Sequence, residues 1–395
     1  METGVVIAGA GQGGFQVAAS LRAGGYQGPV TLIGDEPHLP YQRPPLSKEY
    51  LLGKQAIEKT DLRPRAFYEA QNIALMAGKR VVEIDRGNQR VRLASGGWIE
   101  YSKLVLATGA RVRTLPIDGA LYLRGRDDAI ELKNHIDNAR TVVIVGGGFI
   151  GLEVAAAARA LGKKVTVVET QPRLMARVVA PVISEFYREL HAERGVEILF
   201  GPQAIPAADV VVVGVGVLPN DELAREAGLA TANGIAVDAY LRTSDPNIYA
   251  IGDCAEHENP YAGDRVRLES VQNAVDQGKC AAANIIAAAG GGPSHPRLIE
   301  QPYEAVPWFW THQFDIMLQM AGLSAACDQV VMRGDPGGRK FSVFYFKDGS
   351  LRAADSINRP ADHMVARKLL AAKAAVTPVQ AADEGFDLKN LVRAP

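Results

Sequence analysis

The sequence predicts an α/β fold with two parallel-sheet domains and a smaller α+β domain at the C-terminal end. Two apolar runs, residues 5–8 and 141–145, are typical of strands that are buried on both faces of a sheet. Each run is followed by the same glycine spacing and then by a helical pattern, which is the order of a strand–turn–helix unit. Near the C-terminus, an Asp-Gly pair at 348–349 separates two further strand patterns and predicts a hairpin.

Both glycine-rich turns have the spacing of a dinucleotide-binding turn. The first glycine of such a turn permits a tight bend, the second lets the backbone approach a pyrophosphate, and the last lets the helix pack closely on the strand. The pyrophosphate then lies against the free N–H groups at the start of the helix. These glycines are Gly9, Gly11 and Gly14 in the first turn and Gly146, Gly148 and Gly151 in the second.

An acidic residue ends the second predicted strand of each unit. Asp35 follows the apolar run 30–33, and Glu169 follows the run 165–168. A carboxylate at this place can accept hydrogen bonds from ribose hydroxyls, but it repels a 2′-phosphate, so Glu169 favours NADH over NADPH. One glycine turn could serve helix packing alone, whereas two complete sets predict two Rossmann-like domains and two bound dinucleotides.

The repeat also predicts the domain organisation. After the second unit, strand patterns and an alanine-rich helix precede a turn-forming Gly-Gly-Gly-Pro stretch at 290–293. Beyond that stretch, the hairpin and a further helix indicate a separate α+β domain. The predicted boundaries are 1–112 and 235–300 for a discontinuous first domain, 113–234 for the second and 301–395 for the C-terminal domain.

Composition narrows the class of protein. A net charge of -1 and a pI near 6.7 give no general attraction to nucleic acid or to a membrane surface. The longest apolar stretch, 204–218, is interrupted by a proline, an aspartate and two glycines, so it predicts a core strand and not a membrane helix. Cys254, Cys280 and Cys327 form no CxxC pair, so we expect no metal or cluster site in the chain. With no export segment in the sequence, we expect a cytoplasmic protein.

Short motifs spread over nearly the whole chain resemble one family. Together with the two glycine turns, they are similar to those of ferredoxin reductases of the putidaredoxin reductase type, within the glutathione reductase-like flavoprotein superfamily. The motifs are Pro44-Pro45-Leu46-Ser47-Lys48, Ala107-Thr108-Gly109-Ala110, Ile251-Gly252-Asp253-Cys254, Glu269-Ser270-Val271-Gln272-Asn273-Ala274 and Pro307-Trp308-Phe309-Trp310.

The resemblance implies FAD at the first glycine turn and NADH at the second. It places Asp253 at the ribityl chain of FAD and Trp310 between the flavin edge and a docked ferredoxin. The residues expected at FAD are Gly9, Gly11, Gly13, Gly14, Asp35, Arg43, Lys48, Val81, Ala107, Thr108, Gly109, Arg124, Gly252, Asp253, Val271 and Trp310. Those expected at NADH are Gly146, Gly148, Ile150, Gly151, Glu153 and Glu169.

Lys48, Glu153 and Trp310 are the residues that we expect to take part in the redox chemistry. From the residues alone, Lys48 could equally be a solvated loop charge and Glu153 an acid that favours the start of a helix. The resemblance implies instead that they pair beside the flavin, where a fixed ammonium stabilises the negative charge of the reduced ring. Trp310 could likewise be a plain core aromatic.

The electron acceptor is expected to be external, because residues 40–50 contain no cysteine where disulfide reductases and peroxidases of this superfamily carry one or more. The resemblance implies a transient, charge-steered complex with a 2Fe-2S ferredoxin that serves a cytochrome P-450 monooxygenase. Aromatic-ring dioxygenase and rubredoxin systems are the alternatives. A regulatory flavoprotein similar to apoptosis-inducing factor is an alternative of another class. In the family that the chain resembles, the region that corresponds to residues 201–208 is longer and contains additional strands.

Overall fold

The computed structural model describes residues 3–290, 299–325 and 327–392. Its first elements are β1 (Gly4–Ala8), α1 (Gln12–Ala23), β2 (Val30–Ile33), α2 (Arg65–Ala70), β3 (Ile73–Met76), β4 (Val81–Asp85), β5 (Arg90–Leu93), β6 (Trp98–Leu106), β7 (Ala110–Val112) and α3 (Arg126–Asn138). Next come β8 (Thr141–Val145), α4 (Phe149–Ala160), β9 (Lys164–Glu169), α5 (Pro181–Glu193), β10 (Val196–Phe200), β11 (Val210–Val213), β12 (Val217–Pro219), α6 (Glu222–Glu226), β13 (Thr231–Ala232) and β14 (Gly234–Ala236).

The remaining elements follow in the same order. They are β15 (Ile248–Ala250), β16 (Ala255–Asn259), β17 (Asp264–Val266), α7 (Val271–Ala288), β18 (Trp308–Gln313), β19 (Ile316–Gly322), β20 (Gln329–Asp335), β21 (Lys340–Lys347), β22 (Ser350–Ile357), α8 (Pro360–Ala371) and α9 (Pro378–Ala382). Short 3-10 helices lie at Pro44–Ser47, Ile57–Thr60, Gly252–Cys254 and Leu388–Leu391.

The chain forms two compact units, each built from several segments. The first unit takes residues 1–42, 60–111 and 218–305, and the second takes residues 43–59, 112–217 and 306–395. The segment 43–59, which carries the Pro44–Lys48 motif, therefore belongs to the second unit. Contacts group the predicted second and third domains into one unit and assign residues 218–234 to the first unit. This grouping by contacts does not test the division into three domains, which stays a prediction.

The first unit is centred on a parallel sheet with the order β3-β2-β1-β6, and β15 also pairs with β6 in parallel. Strand β1 lies inside this sheet and is buried along its whole length, which explains its unbroken apolar run. Helices α1 and α7 lie against each other beside this sheet. The antiparallel strands β4 and β5 extend the sheet from β6.

The second unit contains a parallel and an antiparallel sheet. The parallel sheet has the order β10-β9-β8-β11, and the C-terminal sheet has the antiparallel order β18-β19-β22-β21-β20. Both contribute to one core, in which Phe186 of α5 meets Phe341 of β21 with ring centroids 5.3 Å apart. Residues 201–209 connect β10 to β11 without a helix or strand.

The predicted fold class is confirmed, with parallel-sheet units and a C-terminal α+β part. The predicted hairpin is present as β21 and β22, and the turn between them has Asp348 at φ 49° and Gly349 at φ 72°. Positive φ at both positions is what an Asp-Gly turn supplies. No helix of the described residues is both long enough and apolar enough to cross a lipid bilayer.

Candidate dinucleotide and redox site

The first glycine turn is fixed by close backbone approaches. Gly9 has φ 118°, and a Cβ atom there would overlap the carbonyl of Ala107. A Cβ atom on Gly14 would overlap the carbonyl of Gly9, so this position also requires glycine. Gly11 differs, because a Cβ atom there would meet nothing within 4 Å. The turn therefore leaves open space at its middle glycine.

The second glycine turn repeats this arrangement. Gly146 has φ 112°, and a Cβ atom there would lie 2.5 Å from the carbonyl oxygen of Gly214. A Cβ atom on Gly151 would overlap the carbonyl of Gly146, whereas one on Gly148 would have its nearest neighbour 4.0 Å away. The open position is again the one beside which a pyrophosphate would lie.

Both turns fit the pyrophosphate of a dinucleotide. Gly11 and Gly148 are the N-cap residues of α1 and α4, and no side chain caps either helix. The N–H groups of the first helical turn are therefore free to bind an anion, and the helix dipole favours one. Gly13 of α1 is buried beside Ile251, and the missing side chain of this glycine allows close packing. Ile150, which is also a predicted site residue, is 45 % exposed on α4.

The two predicted ribose acids have different surroundings. Asp35 is exposed, two residues beyond the end of β2. Glu169 is the last residue of β9, and its two carboxylate oxygens accept hydrogen bonds from the backbone N–H groups of Gly147 (2.7 Å) and Gln171 (2.8 Å). Oε1 also accepts a hydrogen bond from the Thr170 hydroxyl (3.4 Å). The second turn therefore already orients the Glu169 carboxylate, and Oε2 keeps a lone pair for a ribose hydroxyl.

The other residues expected at FAD in the first unit lie at the ends of its elements. Thr108 donates to the carbonyl of Asn220 (2.7 Å), which fixes the turn that follows β6. Gly252 has φ 73° and donates its N–H to the Gln277 side chain (2.7 Å), at the start of the 3-10 helix that contains Asp253. Ala107 and Gly109 flank Thr108, Val81 begins β4, and Val271 begins α7.

Lys48 and Glu153 form a buried ion pair in the second unit. Lys48 Nζ lies 2.7 Å from Glu153 Oε2, and the side chains are 12 % and 2 % exposed. The same carboxylate accepts hydrogen bonds from Ser47 Oγ (2.5 Å) and Thr311 Oγ1 (2.7 Å). These hydrogen bonds add to the ion pair in satisfying the lone pairs of a carboxylate that is buried with its cation. The ammonium is in turn held in place, since it also donates to the carbonyl of Pro44 (3.2 Å).

Trp310 lies in a group of aromatic residues on β18. Its ring centroid is 5.4 Å from that of Trp308, and the two planes meet at 31°. On the opposite face of β18, Phe309 contacts Phe149 of α4, with ring centroids 4.7 Å apart. Trp310 is half-buried, and Arg367 of α8 lies over the Trp308 ring at 4.7 Å. This aromatic group therefore carries a positive charge at one end.

The predicted site residues divide between the units. The structure brings Lys48 and Glu153 into direct contact, and Arg43 donates to the backbone carbonyl of Arg124 (2.5 Å). These residues and Trp310 belong to the second unit with the second glycine turn, while the first turn and the residues around Thr108 and Gly252 belong to the first unit.

Ser47 and Thr311 are contacts of Glu153 that the sequence did not predict. Ser47 adjoins Lys48 and Thr311 adjoins Trp310, so their neighbours were the only signal. Neither a serine in a loop nor a threonine in a strand suggests on its own that it binds a carboxylate.

Comparisons with known proteins define the family. Residues 3–278 match the pyridine nucleotide-disulphide oxidoreductase family, and residues 308–392 match the reductase C-terminal domain. The chain is 48 % identical to rhodocoxin reductase of Rhodococcus erythropolis, over 98 % of this chain and 93 % of that protein. It is 44 % identical to the ferredoxin–NAD(+) reductase component of the anthranilate 1,2-dioxygenase system of Burkholderia cepacia, over 98 % of both.

A solved structure gives the same result. The ferredoxin reductase for the CYP199A2 system of Rhodopseudomonas palustris superimposes with a TM-score of 0.92 at 47 % identity, over 98 % of this chain and 99 % of that one. The chain therefore belongs to the pyridine nucleotide-disulphide oxidoreductase family. Within it, the chain is a flavoprotein reductase of the putidaredoxin reductase type, so the resemblance seen in its motifs is confirmed. The predicted use of FAD and NAD(H) is confirmed as well.

Proposed function

We propose that this protein passes electrons from NADH through FAD to a 2Fe-2S ferredoxin that serves a cytochrome P-450 monooxygenase. The observation that supports this most directly is the buried Lys48–Glu153 pair, in a chain whose segment 40–50 has no cysteine. Bound FAD supplies a ring that accepts a hydride and gives up electrons one at a time. Without a thiol beside that ring, the electrons go to another protein.

In this proposal each glycine turn binds one cofactor. The first turn, with Asp35 and Asp253, holds FAD, and the second turn, with Glu169, holds NADH. The open positions at the middle glycines support both assignments. The remaining residues proposed to contact FAD are Gly13, Arg43, Val81, Ala107, Thr108, Gly109, Arg124, Gly252 and Val271, and those proposed for NADH include Ile150 and Glu153.

Lys48 is the residue that we place at the flavin ring. Its ammonium stabilises the negative charge that the ring gains on reduction, and it does so without reorganising solvent because the pair is buried. Glu153 holds the ammonium in position, and its own charge is balanced by the donors around it. The chain thus contributes a fixed positive charge, and no protein group needs to transfer a proton in this step.

We expect the protein to have a higher kcat/KM with NADH than with NADPH. In the Glu169→Gln variant, the ratio of these two kcat/KM values should fall about tenfold. The amide oxygen of Gln can still accept from the N–H of Gly147, but its NH2 group cannot accept from the N–H of Gln171. The variant therefore removes the charge that repels a 2′-phosphate and loses one of the two backbone hydrogen bonds. Initial rates with NADH and NADPH measure the ratio. A native protein with the higher kcat/KM for NADPH would show that the inference from Glu169 is wrong.

Electron delivery to ferredoxin should depend on Trp310. In the Trp310→Ala variant, we expect flavin reduction by NADH to keep its rate and ferredoxin-coupled cytochrome c reduction to fall about tenfold, since a half-buried tryptophan is a typical anchor of a protein interface. The coupled rate should also fall as salt screens the attraction between Arg367 and an acidic ferredoxin.

A matched control comes from the other unit. Trp98 on β6 is 39 % exposed and stacks with Arg90, and Trp98→Ala should change neither rate. If Trp310→Ala lowers both rates equally, Trp310 only supports the flavin pocket. If it lowers neither, Trp310 has no part in electron delivery.

Turnover with a panel of purified ferredoxins tests the acceptor. Similarity to the reductase of the CYP199A2 system supports the monooxygenase assignment, and similarity to the anthranilate dioxygenase component supports a dioxygenase system as the second candidate. Fast NADH-dependent reduction of a P-450 ferredoxin, with slow reduction of a dioxygenase ferredoxin, is the expected result. Flavin reduction without ferredoxin turnover would favour an NADH-sensing role.

The free thiols Cys254, Cys280 and Cys327 support a cytoplasmic location.

A further inference from the structure

Glu153 ends a buried chain of hydrogen bonds that leads away from Lys48. Thr311 Oγ1 lies 2.7 Å from Glu153 Oε1, Gln313 Nε2 lies 3.3 Å from Thr311 Oγ1, and Gln313 Oε1 lies 2.9 Å from His191 Nε2. All four side chains are at most 3 % exposed. Thr311 and Gln313 are two residues apart on β18 and so lie on the same face of that strand.

The charge of Glu153 sets the direction of every bond in this chain. An ionised carboxylate only accepts, so the single hydroxyl proton of Thr311 must point to Glu153. The Thr311 oxygen is then free to accept from Gln313, which turns the amide nitrogen toward Thr311 and the amide oxygen toward His191. His191 must therefore donate from Nε2.

His191 suits that direction. Burial lowers its pKa to about 4, so the ring is neutral at pH 7 and carries one N–H. Its Nδ1 atom has no hydrogen-bond partner among the described residues, so Nε2 is the nitrogen that the surroundings fix. Each donor in the chain, from His191 through Gln313 to Thr311, thus supports a negative charge on Glu153.

We propose that Thr311 and Gln313 are positioning residues, which hold the Glu153 carboxylate oriented toward Lys48 and help to balance its negative charge. This inference rests on the proposed function, in which Lys48 acts at the flavin. It assigns to β18, the strand that carries Trp310, a second part in the reaction on its opposite face. Without the Thr311 donor, the charge of Glu153 is left more fully to Lys48, whose ammonium is then less available to the reduced ring.

The test compares Thr311→Val with Thr311→Ser in the FAD-loaded protein. Val has nearly the shape of Thr but no hydroxyl, so we expect a lower flavin midpoint potential in spectroelectrochemistry and roughly tenfold slower flavin reduction in stopped-flow experiments, the scale of a lost hydrogen bond to a charged group. Thr311→Ser keeps the hydroxyl donor and should have the native midpoint potential and the native rate of flavin reduction. Thr166→Val is the control, because it removes a similar bond (2.9 Å) to Glu197 and should change neither.

Gln313 supplies a second comparison that tests the direction of the bonds. Gln313→Met removes the donor to Thr311 Oγ1 without competing for the Thr311 proton, so it should lower the potential, but by less than Thr311→Val does. Gln313→Glu introduces a second acceptor and should lower the potential as Thr311→Val does. The proposal is overturned if Thr311→Val keeps the native potential and rate, or if Ser fails to restore them. Lys48→Met separates the two failures, since an unchanged potential in that variant would contradict the proposed function itself.

Discussion

Replacing Lys48 by Met should slow reduction of the bound flavin by NADH about a hundredfold, the usual cost of removing one preorganised electrostatic donor from an active site. The flavin midpoint potential should fall, because the reduced ring loses the ammonium that stabilises its charge. FAD content should stay near one per chain, since the glycine turn of the first unit is untouched. Stopped-flow reduction, spectroelectrochemistry and the absorbance spectrum measure these quantities.

The same substitution leaves Glu153 as a buried charge without its cation, which costs about 3 kcal/mol of stability when other donors cannot compensate fully. A double variant, Lys48→Met with Glu153→Gln, removes the charge as well. We expect it to recover most of the lost free energy of unfolding in urea titrations while its flavin reduction stays slow. If the double variant recovers the rate together with the stability, Lys48 acts through the fold and not at the flavin.

The ion pair shows why part of this site could not be predicted from residues alone. Lys48 lies after a 3-10 helix of the segment 43–59, and Glu153 lies in the first turns of α4. Each has an ordinary explanation by itself, as a loop cation and as an acid near a helix start. Only a family resemblance paired them before the fold was known, because no local rule reports which distant groups tertiary packing brings together.

The glycine turns were predictable for the opposite reason. Gly9 and Gly146 need positive φ, and Gly14 and Gly151 face a carbonyl of their own turn, so short-range geometry explains these four positions. The extent of regular structure was less predictable. Helix α1 begins at Gln12, within the glycine turn itself, and not at the first bulky residue, because its start is set by hydrogen bonding and not by hydrophobic periodicity.

The second large effect concerns Gly148 and Gly151, which are close in sequence but differ in the room that each has for a side chain. An alanine Cβ at Gly151 overlaps the carbonyl of Gly146, so the helix and the turn must separate. We expect Gly151→Ala to lower the free energy of unfolding by about 3 kcal/mol. An alanine Cβ at Gly148 has no atom closer than 4.0 Å, and φ there is −83°, which any residue adopts. Gly148→Ala should keep the native stability.

Gly148→Ala should nevertheless bind NADH about tenfold more weakly, because its Cβ occupies the space where the pyrophosphate approaches the backbone. It should keep its full FAD content, whereas Gly11→Ala in the first turn should lose FAD and with it the yellow colour, without a large loss of stability. Titration of NADH and the flavin spectrum of each purified variant separate the two turns. Loss of FAD from Gly148→Ala with unchanged NADH affinity would reverse the assignment of the cofactors. If both variants bound both cofactors normally, the pyrophosphates would not lie at the middle glycines, and the packing role of Gly14 and Gly151 would be the only one left to these turns.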